Sequence, residues 1–145
     1  MTLCLDVSVL VRCLTKEHGN VETLSWLRSH LDEGMVAPAF LPFEFGSALC
    51  RKLSAGEMTA AECAEAISLF GRLDIRYDLE DQLLNSAFTL ALALGQPTVY
   101  DTAYLAVAEK EKCELWTFDR QFASVASKEH PCVRLVDLHL DEANP

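Results

Sequence analysis

YDTAYLAVAEKEKCELWTFDR, the run from Tyr100 to Arg120, decides the fold. Its first half carries Ala103, Leu105, Ala106 and Ala108 and closes on the charged Glu109-Lys110-Glu111-Lys112, which predicts a helix beginning near Asp101. Leu115 to Phe118 follow as a strand that runs straight into Asp119. A helix feeding a short, almost wholly apolar strand, with no hairpin dipeptide between them, is the pattern of a parallel sheet covered on both faces.

The same alternation extends to both sides. Upstream, a helix rich in leucine and alanine starts at Glu80 or Asp81 and runs to Gly95, with Pro97 forcing a break. Thr2 to Leu5 form a strand ending at Asp6, and Ser8 to Leu14 continue with the helical spacing of Val9, Leu10, Cys13 and Leu14. Asn20 is placed to cap a second helix, with Leu24, Leu27 and Leu31 on one face and Gly34 at its end. Met35 to Ala37 read as the second strand. Leu41-Pro42-Phe43-Glu44 opens the next helix, with proline where its missing N–H is harmless, so Glu44 falls in the first turn. Gly56 ends that helix, and Thr59 with Glu62 has capping-box spacing for another. Ile75 to Leu79 and Val133 to Val136 complete the strands. The expected class is α/β, with a mostly parallel sheet between helices. With no repeat or linker in sight, residues 1–145 read as one domain, in which about 137–145 form a loose acidic tail.

Composition narrows the function. The longest strongly apolar run, Ser86 to Leu94, is about nine residues, where a membrane span needs roughly twenty. MTLCLDVSVL has no basic lead before its apolar residues, so a cytoplasmic protein is expected. Six cysteines are scattered without a CxxC pair, and reduced thiols are the expectation, with Cys4 and Cys50 read as buried. The four histidines lack the spacing a zinc site uses. A formal charge of -10 argues against simple electrostatic binding of nucleic acid. Bound cations reverse that local sign wherever carboxylates gather around them.

In open parallel sheets, ligands bind beyond the carboxyl ends of the strands. Asp6 ends the first strand, Glu44 opens the helix after the second, Asp101 starts a helix, and Asp119 follows a strand. Singly, each is explained as a cap or first-turn acid favoured by the helix dipole. Together, converging carboxylates repel one another unless a cation is shared, which points to a metal site with hard oxygen ligands suited to Mg²⁺ or Mn²⁺. Ser8 reads equally as the cap of the first helix or as a group supporting the site. Arg120 is a candidate contact to phosphate, against the plainer reading of a surface pair with Asp119. Arg51 and Lys52 read as complements to a helix dipole, and Trp26 and Trp116 as core residues.

Four segments carry a family resemblance: LDVSVLV at 5–11, PFEFGSAL at 42–49, YDTAYLAVAE at 100–109 and LWTFDR at 115–120. In this order they resemble the signature segments of PIN-domain proteins, VapC-like toxins above all, across nearly the whole chain. The resemblance implies a three-layer α/β/α sandwich and a metal-dependent ribonuclease. It implies acidic ligands at Asp6, Glu44, Asp101 and Asp119, with Ser8 and Thr117 as supporting polar groups. It further implies hydrolysis to a 5′-phosphate and a 3′-hydroxyl, a small basic VapB-like antitoxin as partner, and a homodimer. The acidic surface suits attraction of such a partner, although solubility alone explains most of the charge. The segment between Gly56 and Asp81 is the least typical of the family. The alternative is a PIN-like fold kept as a binding or scaffolding module with little catalysis. A phosphoaspartate receiver domain fits less well, because Asp6 has neither an acidic neighbour nor a suitable late-strand lysine.

Overall fold

Five parallel strands in the order β3-β2-β1-β4-β5 form the sheet of the computed structural model, which describes residues 2–32 and 34–138. They are β1 (Leu3–Leu5), β2 (Met35–Pro38), β3 (Ile75–Asp78), β4 (Glu114–Thr117) and β5 (Val133–Leu135). Seven helices are described around them: α1 (Val7–Leu14), α2 (Asn20–His30), α3 (Leu41–Ser54), α4 (Ala60–Phe70), α5 (Leu83–Leu94), α6 (Tyr100–Glu111) and α7 (Arg120–Ala126). Most of the expected acidic tail, 139–145, lies outside the described residues.

Strands β1 and β2 are apolar on every residue because both faces are covered. All of β1 and all of β2 are buried. Cys4 faces α6, its thiol donating to the Tyr104 carbonyl at 3.5 Å, so the alternation of the strand turns Leu3 and Leu5 to the opposite layer. There α1 packs against β1 and β4 and touches α2, α3 and α4. The other layer is α6, which crosses β1, β2 and β4 and is itself covered by α5. This double cover explains why every residue of α6 from Thr102 to Ala108 is buried. Leu105 and Val107, each fully enclosed, contribute about 1.5–3 kcal/mol apiece by leaving water. The result is the expected three-layer α/β/α sandwich, with a sheet that is parallel throughout.

Several local expectations need correction. The N-cap of α2 is Gly19, at φ 85°, and Asn20 is already helical; the helix stops at His30, well before Gly34. α5 begins at Leu83, not at Glu80 or Asp81, because those two residues occupy the turn after β3. α7 was not anticipated: its seven residues are too few to display a period, and it is started by its cap, Asp119. Cys50 is exposed, lying on the outer side of α3, whereas Cys4, Cys13 and Cys113 are buried. Trp26 and Trp116 are only half-buried; their rings meet edge to face at 4.9 Å, with His30 stacked on Trp26 at 4.5 Å. No helix among the described residues is long and apolar enough to cross a membrane.

Candidate active site

Because β1 and β4 are parallel neighbours, the residues just beyond them emerge side by side. Asp6 ends β1 and its backbone N–H donates to the Trp116 carbonyl at 3.2 Å, which ties it to β4. Asp6 also caps α1, accepting from the Ser8 backbone N–H at 2.8 Å, so the cap expected of Ser8 belongs to Asp6. The Ser8 hydroxyl donates to the same Asp6 oxygen, and the Thr117 hydroxyl donates to the other. Ser8 Oγ accepts from the Phe118 N–H at 3.2 Å, and Thr117 Oγ1 accepts from the Asp119 N–H at 2.9 Å. Two hydroxyls thus bridge the ends of two strands and hold both oxygens of one buried carboxylate. Burial pushes the Asp6 carboxyl above its ordinary range, and the bonds from Ser8 and Thr117 pull it part of the way back.

The other acids reach this edge from different elements. Asp119 caps α7, accepting from the Phe122 N–H at 2.9 Å. Glu44 stands in the first turn of α3, where Pro42 favours helix initiation, and accepts from the Tyr104 hydroxyl at 2.7 Å. Burial raises the Glu44 carboxyl; Tyr104 opposes that, Asp6 adds to it, and Arg51 opposes it. Asp101 lies in the first turn of α6 and, among the described residues, has no hydrogen bond or ion pair. Burial raises its carboxyl to about 6, and the charges of Asp6, Asp119 and Glu44 push the same way.

The four acids therefore sense one another across one end of the sheet, and one of them is half-buried without a partner. That is the electrostatic character of a carboxylate cluster that a cation would offset. Four carboxylates are a hard donor set that fits Mg²⁺ or Mn²⁺. Among the described residues, no three metal-ligating side chains stand close enough together to hold one ion.

A family model described as PIN domain matches residues 3–128, a span that includes all four acids, Ser8, Thr117 and Arg120. The chain belongs to the PIN domain family. Among solved structures, this PIN domain is similar to Mycobacterium tuberculosis VapC20, described as a sarcin-ricin loop cleaving toxin, with 13% identity, 86% of this chain and 94% of that chain covered, and a TM-score of 0.66. It is similar to PAE2754 from Pyrobaculum aerophilum, with 22% identity, 85% and 82% covered, and a TM-score of 0.64. It is similar to VapBC2 from Rickettsia felis, solved bound to a DNA fragment from its promoter, with 16% identity, 94% and 100% covered, and a TM-score of 0.61. At these identities the likeness is one of fold. No curated protein matches the sequence.

Two features of this PIN domain escaped the reading of its sequence. Tyr104 shares a helix with Asp101 but serves Glu44, sixty positions away; only the i, i+3 spacing of Asp101 and Tyr104 hinted that both face the same end. Asp78, a further acid at the end of β3, is buried and held by Lys110 Nζ at 2.8 Å and the Glu80 N–H at 2.9 Å. It is neutralised where it stands and is not coupled to the quartet. Arg120 is the first residue of α7, exposed and without an ion pair among the described residues. Lys52 does more than complement a dipole, pairing with Glu17 at 3.0 Å and Glu57 at 3.5 Å.

Proposed function

We propose that this chain is a metal-dependent endoribonuclease and the toxin of a VapBC-type pair. The observation that carries the reading is the unpartnered Asp101 carboxyl, raised to about 6 by burial and by three neighbouring acids. Asp6, Glu44 and Asp101 would hold a divalent cation, with Asp119 as a ligand of a second ion or an orienter of water. When bound, such a cation supplies a water of lowered pKa and offsets charge on the phosphate.

The chain's own part is positioning. Ser8 and Thr117 fix both oxygens of Asp6, so that carboxylate presents its remaining lone pairs in one direction. Tyr104 restrains Glu44 through one of its oxygens. No side chain here is required as a nucleophile, and the expected products carry a 5′-phosphate and a 3′-hydroxyl. Arg120, at the rim beside Asp119, is the residue we assign to substrate phosphate.

Support for a small basic antitoxin comes from the similarity in fold to VapBC2 together with the charge of -10. The similarity to VapC20 makes a structured ribosomal RNA loop a substrate to include among those tried. The chain is further proposed to act as one domain, as a homodimer and in the cytoplasm. A second reading is a PIN fold kept for binding with little catalysis. The two part on one assay. Wild type with Mg²⁺ or Mn²⁺ should cut RNA and lose that activity to chelator and to Asp101→Asn; equal inertness of both proteins on varied RNAs would leave the binding module.

A further inference from the structure

A cleft of about 350 Å³ opens beside the acidic quartet and shares Glu44 with it as a wall. Three aromatic rings and one cation line it, together with Val7 and Ser47. Phe43 is 80% exposed and Tyr100 51%, both facing the cleft, and each is adjacent in sequence to one of the proposed ligands. Phe40 meets the Tyr100 ring edge to face at 5.3 Å and the buried Tyr104 ring at 5.6 Å, so Tyr100 is held in place from behind. Arg51 closes the cleft and, among the described residues, has no hydrogen bond or ion pair.

We propose that this cleft is a nucleobase subsite, in which an unpaired base next to the scissile phosphate stacks on Phe43 and Tyr100 while Arg51 contacts the adjoining phosphate. The inference rests on the reading of RNA as substrate and says how an acidic chain holds it. Half of the twelve Lys and Arg residues are already engaged: Arg12, Lys16, Lys52, Arg76, Lys110 and Arg134 each pair with a carboxylate. At a net charge of -10, contacts that do not rely on positive charge add to what the remaining cations supply. Exposed aromatic faces supply such contacts, because stacking does not depend on net charge and every base has a π-face. Arg51 is the one cation lining the cleft and, with no hydrogen bond or ion pair among the described residues, suits contact with a phosphate. Continuity through Glu44 places the stacked base one step from the acids proposed to act on the backbone.

Binding is read by fluorescence anisotropy with a short fluorescein-labelled single-stranded oligoribonucleotide of mixed sequence, in EDTA so that nothing is cut. Phe43→Ala should weaken binding about tenfold, and Phe43→Trp should retain it. Because Phe43 is so exposed, the fold tolerates both changes, which a thermal melt verifies. Arg51→Ala should weaken binding and flatten its dependence on salt. An abasic oligonucleotide of the same length should bind wild type poorly and be indifferent to Phe43→Ala. The proposal is overturned if Phe43→Ala binds within about twofold of wild type, if the abasic strand shows the same dependence on Phe43, or if wild type binds no RNA. It is equally overturned if Phe43→Ala impairs only the binding of a basic helical peptide. Cleavage with Mn²⁺ is scored separately: RNA that binds with these dependences but is never cut keeps the subsite and removes the nuclease.

Discussion

The Tyr104 hydroxyl, deep in the wholly buried face of α6, donates to Glu44 Oε1 at 2.7 Å and so links the helix that carries Asp101 to the helix that carries Glu44. Burial and the Glu44 charge both hold the phenol far above its ordinary pKa, so it is a donor at every working pH. Tyr104→Phe keeps the ring packing and deletes the bond. It should cost on the order of 1 kcal/mol in urea unfolding, since half-buried Glu44 can recover a water. It should weaken Mn²⁺ binding several-fold. A variant with wild-type Mn²⁺ affinity would show that the bond is structural only.

Asp101→Asn is expected to stabilise the metal-free protein, because it removes a charge that the folded state disfavours. The sign follows from the raised pKa: between 3.8 and about 6 the unfolded chain loses its proton first, so wild-type stability falls as pH rises through that window. The gain should be on the order of 1–2 kcal/mol at neutral pH, after allowance for partial exposure, and should vanish below about pH 4. Thermal melts across pH check this, and Mn²⁺ should raise the melting temperature of wild type but not of the variant.

Asp78 behaves in the opposite sense. Burial alone would raise its carboxyl, but the bonds from Lys110 and the Glu80 N–H, with the Lys110 charge, hold it below the ordinary range. Its stabilisation is present above the unfolded-state pKa and is lost as pH falls through the depressed one. Lys110→Ala should lower the urea midpoint at pH 7 by more than Arg76→Ala does, because Arg76 pairs with Glu111 in the open whereas Lys110 serves a side chain that is 2% exposed. Equal midpoints for the two variants would contradict this.

The cysteines should separate by reactivity. Burial pushes the Cys13 thiol up to about 12 and Cys113 up to about 11, and it raises Cys4, within β1, well above its ordinary value. Iodoacetamide on the native protein should therefore label exposed Cys50 first and spare Cys4 and Cys13, as peptide mass spectrometry would show. Early labelling of Cys4 would mean that β1 is not the closed centre of the sheet.

What could be read from the chain was whatever is written locally. Pro42 placed Glu44 in a first turn, Gly95 and Pro97 ended α5, and apolar runs stopping at Asp6 and Asp119 marked two strand ends. What could not be read depends on partners far apart. Nothing near Asp6 announces that Thr117 will donate to it, since that contact arises from the pairing of β1 with β4. The outward turn of Cys50 follows from how α3 rolls on its neighbours, which a free thiol in an apolar stretch does not reveal. The aromatic cleft was invisible for the same reason: Phe40, Phe43, Arg51 and Tyr100 come from separate turns and helices.

The most direct test of the metal-dependent ribonuclease reading is sequencing of 5′-phosphate ends after total RNA is incubated with Mn²⁺ and either wild type or Asp101→Asn. The account predicts discrete new ends with wild type, absent with chelator and absent with the variant. Profiles that are identical for the two proteins, with or without Mn²⁺, would contradict it.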